Sequence, residues 1–229
     1  MPKSERPRET RLSRELQQAV PSRRITPRDA FELALAKWMN GDRVEVGAIA
    51  GELGVAKATV FRWVGSRELL LGEIIWSLLD AAWKHVLSVA RGTGADYAAD
   101  VTYRLMASVL RSVPFRRFLE QDPENALRIL TSKTSIVRTR IVDEVCKMLR
   151  ELVETGHIAP ALKIEDLAYI IVRVFESCLY SDQIAGTKPN IELTSEAIRI
   201  LVGARSASEP TGARPSSTST KPRRRKRTQ

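Results

Sequence analysis

The stretch Gly54-Val-Ala-Lys-Ala-Thr-Val-Phe-Arg-Trp-Val-Gly-Ser-Arg-Glu-Leu-Leu70 is mostly apolar, yet it carries Lys57, Thr59, Arg62 and Arg67 at helical spacings. These are hydrogen-bond donors. Lysine and arginine donate to guanine edges or to phosphates, and threonine donates to phosphate. The chemistry on offer is recognition of an anion-rich partner rather than bond breaking. Nowhere in the chain is there a paired carboxylate on a helix, a His-Glu metal spacing, a phosphate-cradling glycine loop or a nucleophile motif. Cys146, Cys178, His85 and His157 are scattered without metal-ligand spacing. No catalytic residue, metal or cofactor is therefore expected.

Charge points to the same partner. The 229 residues carry a formal net charge of +10. Residues 1–24 hold seven Lys/Arg and three Glu, and residues 206–229 hold seven Lys/Arg and one Glu. The middle, 25–205, holds 23 basic and 23 acidic residues and is neutral. The whole excess sits on two end segments, and basic arms neutralise phosphates and release counterions. The reading predicts that Lys221-Pro-Arg-Arg-Arg-Lys-Arg227 and the N-terminal arm supply much of a non-specific DNA affinity. The last segment, rich in Ser, Thr, Pro and Arg, has the composition of a disordered tail.

The elements that must position the donors are helices. From residue 25 to 205 the pattern is helical throughout, with no alternating strand run. Thr26 before Pro27 suits an N-cap followed by proline at the first helical position, and Gly41 suits a stop. A short helix is expected over about 46–53, a turn at Gly54, and a third helix over about 56–64 ending at Gly65. Ser66 caps a long fourth helix. Further helices are expected at about 96–113, 115–121, 123–133, 135–155, 164–184 and 192–204. The fold class is all-α: a basic arm (1–24), a three-helix helix-turn-helix domain (25–72), a helical ligand-binding and dimerisation domain (73–205) and a basic tail (206–229). Helix, glycine-containing turn and short helix form the helix-turn-helix plan. Val46, Ile49, Leu53, Val55 and Val60 pack inward in that plan. Lys57, Ala58, Thr59, Arg62 and Trp63 fall near the outer or end face.

The order of residues from Val44-Glu-Val-Gly-Ala-Ile-Ala-Gly-Glu-Leu-Gly-Val55 through Leu70 resembles the DNA-binding region of the TetR family. The resemblance covers about residues 28–76: Ile-Ala, Gly-Val, Thr, aromatic-Arg-aromatic, then Ser-Arg-Glu-x-Leu. Trp63-Val-Gly-Ser-Arg-Glu-Leu-Leu-Leu-Gly-Glu73 also resembles an actinobacterial subgroup, the QsdR-type regulators of lactone catabolism. The resemblance implies that Lys57 and Ala58 meet bases and that Thr59 and Arg67 meet phosphates. It places Phe61, Arg62 and Trp63 on the same DNA-binding helix. Three departures weaken the clamp. Ala56 stands where a Ser or Thr usually caps the recognition helix, a cap worth ~1 kcal/mol. Glu45 replaces a Thr and would repel a nearby phosphate. Phe61 replaces a Tyr and loses a hydroxyl donor.

Residues 164–184 are apolar on nearly every side, so this helix must be buried on two. The family resemblance implies a four-helix dimer interface with the last helix, through Tyr169, Val172, Leu179, Ile198, Leu201 and Val202. Symmetric half-sites in DNA demand such a two-fold. An effector pocket between the long helices is expected to draw on Trp76, Trp83, Tyr103, Met106, Phe118 and Phe175, with Arg104 or His85 as polar contacts. Residues of these types at helical spacing more often build core.

The expected function is a sequence-specific, DNA-binding homodimer on a palindromic operator. It acts as a repressor released by a small apolar effector, a lactone or acyl compound. The alternative is a ligand-independent architectural dimer. The chain carries neither a signal-peptide pattern nor a span of the ~18–20 apolar residues that crosses a membrane. A bacterial cytosolic, nucleoid-associated protein is expected.

Overall fold

The computed structural model describes residues 25–132 and 134–204, and within them every regular element is a helix. The two basic end segments lie outside the described residues.

The first three helices are set by local rules. Helix α1 (Pro27–Asn40) opens on a capping box: the Thr26 side chain accepts from the Asp29 amide, and the Thr26 amide donates to the Asp29 carboxylate at 2.7 Å. It closes at Gly41, in the left-handed region at φ 81°. Helix α2 (Val46–Glu52) buries Val46, Ile49 and Ala50. Gly54 takes φ 66° in the turn that follows, a conformation that costs an L-residue about 1–2 kcal/mol. Helix α3 (Lys57–Val64) buries Val60 completely. Its N-cap, Ala56, makes no side-chain hydrogen bond, as the sequence implies.

Helix α4 (Arg67–Val89) is capped by Ser66, whose hydroxyl accepts from the Leu69 amide at 3.1 Å. At a rise of ~1.5 Å per residue it is roughly 34 Å long and forms the spine of the molecule. Around it stand α5 (Gly94–Arg111), α6 (Val113–Gln121), α7 (Pro123–Thr131), α8 (Ile136–Glu154), α9 (Ile164–Leu179), a single turn α10 (Ser181–Ala185) and α11 (Ile191–Gly203). Helix α9 is shorter than its apolar pattern suggests. Tyr180 leaves helical geometry at φ −105°, ψ 9° and buries its ring, and the chain restarts as α10.

Packing cuts across the domain boundary drawn from sequence at residue 72. One core cluster runs from Ala30, Trp38, Ile49 and Val60 through the first half of α4 into α6, α7 and the end of α9. A second gathers Trp83, Val101, Leu149, Leu167, Ile198 and Val202 around the far half of α4. The helix-turn-helix thus shares its core with part of the following helices.

Candidate functional site

The outward face of α3 follows from its period. Val60 is fully buried and Val64, four residues on, is half-buried, so they fix the helix to the core. Lys57, Ala58 and Arg62 are exposed, Phe61 is 38% exposed, and Thr59 and Trp63 are half-buried. Lys57 and Phe61 form one i, i+4 stripe. The Lys57 ammonium lies 5.7 Å from the centre of the Phe61 ring, within cation–π range. The ring that loses a hydroxyl therefore still aims the lysine. Ala58 and Arg62 form the neighbouring stripe, with no side chain beyond Cβ at position 58 to hold a partner off. With no cap at Ala56, the first amides of α3 are left for solvent or an anion.

Arg67 is held differently. Its Nε donates to the Val44 carbonyl at 2.8 Å and lies 3.4 Å from Glu45. It locks the start of α2 to the start of α4. Glu45 also pairs with Arg43 at 2.7 Å. Two guanidinium groups thus offset the charge that the sequence suggested would repel a phosphate, a compensation that needs the fold to be seen.

A cavity of about 250 Å³ opens between the helix-turn-helix and the helices beyond it. Its walls are apolar: Ile75, Leu78, Leu79 and Ala82 of α4, Val137 and Ile141 of α8, and Val172, Phe175 and Leu179 of α9. Trp38 and Met39, from the last turn of α1, complete the lining. Polar groups are few: Arg138, Glu176 and Tyr180, with Ser108 and Ser112. Arg138 donates Nη1 to the Thr131 carbonyl at 2.7 Å. The Glu176 carboxylate pairs with Arg173. Burial pushes the Glu176 carboxyl up, and the Arg173 and Arg138 guanidinium groups oppose that shift. Burial also pushes the Tyr180 hydroxyl up, so it stays a proton donor.

Of the six residues named for this pocket, Phe175 lines the cavity. Trp83 and Met106 are core, buried to 3% and 0% exposure. Phe118 packs on Trp38, ring centroids 4.8 Å apart. Trp76 lies under the Arg140 guanidinium at 5.7 Å, and Tyr103 is exposed. Arg104 pairs with Asp100 at 2.7 Å and His85 is exposed, so neither reaches the cavity. Sequence reading missed Trp38, Arg138, Glu176 and Tyr180. The one available signal was an acid, Glu176, inside an apolar run.

The residues named for a dimer interface divide in the same way. Val172, Leu179, Ile198 and Val202 are buried in their own chain, and Leu201 is half-buried. Tyr169 of α9 is 49% exposed, and Leu193 and Ile200 of α11 are exposed at 65% and 59%. Among the described residues no cluster of His, Cys, Asp and Glu could hold a metal, and no helix is long and apolar enough to cross a membrane.

Residues 93–203 match the family model of the tetracyclin repressor-like C-terminal domain. Among solved structures, the transcriptional repressor QsdR of R. erythropolis, a TetR family protein, superposes with a TM-score of 0.73 at 26% identity. The match covers 80% of this chain and 97% of that one. The TetR family regulator PfmR of Thermus thermophilus gives a TM-score of 0.40 at 18% identity, over 77% of this chain and 96% of that one. No curated protein sequence matches the chain.

Proposed function

We propose that the chain is a TetR family transcriptional regulator, a reading supported by the match of residues 93–203 to the tetracyclin repressor-like C-terminal domain and by the likeness to QsdR, and that it is a homodimeric repressor, released from a palindromic operator by a small apolar effector. It is a regulator and not an enzyme. The observation that carries the effector reading is the cavity wall. Trp38 and Met39 belong to the first helix of the helix-turn-helix, so a molecule filling the cavity touches the DNA-reading unit itself. Occupancy shifts DNA affinity only when the cavity fits the effector better in the released conformation. The apolar walls with few polar groups suit an effector with an apolar body and a small polar head, as a lactone or acyl compound has. The likeness to QsdR supports placing the chain in that subgroup.

In this reading α3 lies in the major groove. Lys57 and Arg62 reach base edges or phosphates, Ala58 allows close approach, and Thr59 donates to a phosphate. Phe61 and Trp63 position the helix, and any phosphate contact from Arg67 comes through the Nη groups not spent on Val44. Two such helices are paired by a second copy docking on the exposed side chains of α9 and α11, Tyr169, Leu193 and Ile200. The protein works in the bacterial cytosol, on the nucleoid.

Three outcomes are expected. Lys57→Ala weakens binding to the selected site by about 5- to 150-fold, the worth of one good base contact, and relaxes one position per half-site. Thr59→Ala weakens all sequences about equally. Competition binding against a panel of singly altered sites separates the two. Ala82→Trp fills much of the cavity. It should leave operator affinity within about twofold while abolishing release by a panel of lactones and acyl compounds, read by fluorescence anisotropy. A panel that never releases the wild-type protein would remove the effector from the proposal.

A further inference from the structure

The cavity between the helix-turn-helix and the outer helices has mostly apolar walls, so the few polar groups on it decide what head its occupant can carry. A void of ~150 Å³ takes a benzene ring, so one of about 250 Å³ has room for a larger apolar body. Arg138, Glu176 and Tyr180 stand together on its wall. Glu176 and Tyr180 lie one turn apart at the end of α9, where the Tyr180 amide donates to the Glu176 carbonyl at 3.0 Å. Arg138 comes from α8 and acts on the Glu176 carboxyl, as does Arg173, which pairs with it.

Arg138 and Tyr180 carry donors without partners. The Arg138 side chain is half-buried and gives Nη1 to the Thr131 carbonyl, and among the described residues it pairs with no carboxylate. Tyr180 is 5% exposed, and among the described residues its hydroxyl makes no hydrogen bond. Unlike the indole nitrogens of Trp38 and Trp83, which are sealed in packed core, that hydroxyl has open space beside it. Glu176, in contrast, is already paired with Arg173. Burial holds its carboxyl above the usual range against the pull of Arg173 and Arg138, which lessens its repulsion of a second carboxylate. A cationic head would join two guanidinium groups with one acid between them. A neutral head would leave the Arg138 charge unpaired as the cavity loses its water, and an unpaired desolvated charge is costly. A carboxylate meets both free donors at once, and its hydrogen bonds to arginine are charge-assisted. We propose that Arg138 and Tyr180 form a carboxylate subsite, so that the cavity takes the free acid of an apolar chain in preference to the matching lactone, alcohol or amine.

This subsite rests on the cavity being an effector site, as in the function proposed above. The test titrates the full chain, without DNA, with octanoate, γ-octalactone, 1-octanol and octylamine by calorimetry at fixed pH and salt. Release of operator by each compound is measured separately. Octanoate is expected to bind about tenfold or more tighter than the other compounds, the worth of one hydrogen bond to a charged group. Arg138→Gln and Tyr180→Phe should each remove most of that preference. Both should bind 1-octanol within about twofold of the wild type, a readout that a collapsed cavity would move. Tyr180→Phe keeps the ring and loses only the hydroxyl, so it holds the test if Arg138→Gln misfolds. Lactone, alcohol or amine bound as tightly as octanoate by the wild type would overturn the proposal. A preference for octanoate that both variants retain would overturn it too. Octanoate bound with the expected preference but releasing no operator would support the subsite and count against the effector reading. Binding of none of the compounds would overturn both.

Discussion

Trp38→Ala is expected to cost about 3–5 kcal/mol of folding stability, the range for deleting a buried large aromatic, whereas Trp38→Phe is expected to stay within about 1 kcal/mol of the wild type. Trp38 is 5% exposed, packs on Phe118 and lines the cavity. Next to it Arg117 covers Gly41, with Nη1 donating to the Asn40 carbonyl at 3.4 Å. This is where the last turn of α1 meets α6. Alanine would enlarge an existing void of about 250 Å³ into that junction and remove a contact through which, in the proposed function, cavity occupancy would reach α1. Phenylalanine keeps the ring contact. It also removes an indole N–H that is buried without a partner among the described residues, and an unsatisfied buried donor costs ~1–3 kcal/mol, which offsets the lost area. Urea denaturation of the three proteins checks the pair. Equal stability of the Ala variant and the wild type would mean that Trp38 is not a packing link between the two parts.

The second large effect is expected at Ile49→Ala. Ile49 is fully buried in α2, where it meets the cluster that includes Val46 and Val60. Its truncation should cost about 2–4 kcal/mol. The loss should be local, because the far core around Trp83 and Leu149 is a separate cluster. Amide exchange is expected to accelerate across α1, α2 and α3 while α8 stays protected, and DNA binding should fall with the fraction of molecules whose helix-turn-helix is formed. Leu149→Ala, also at zero exposure, should reverse the pattern. Uniform acceleration in both variants would show a single cooperative unit and contradict the two-cluster account.

Features set by short-range rules were legible in the sequence. Thr26-Pro27, Gly41, Gly54 and the Gly65-Ser66 junction each sit where one backbone conformation or one side-chain cap decides the outcome. The period of α3 likewise separates Val60 from Lys57, Ala58 and Arg62. What depends on placing one helix against another was not legible. Helix α9 is apolar on several sides, and period alone does not say which side meets the same chain. Val172 and Leu179 turned inward, and Tyr169 turned outward. The cavity is lined by residues from α1 to α9 that lie as far apart as Trp38 and Tyr180. Aromatic and methionine side chains at helical spacing were a poor guide to it, because Trp83 and Met106 satisfy the same pattern by filling the core. Arg67 shows the opposite effect: a residue at a family position for phosphate spends its Nε within the fold.

DNA reading by α3, from two copies at once, is the central claim of the proposed function. Selection of bound duplexes from a random pool tests it most directly. The account predicts enrichment of a two-fold symmetric site, with half-sites about one helical turn apart or a multiple of it. Recovery of sequences with no common site, at an affinity indifferent to Lys57, would contradict it.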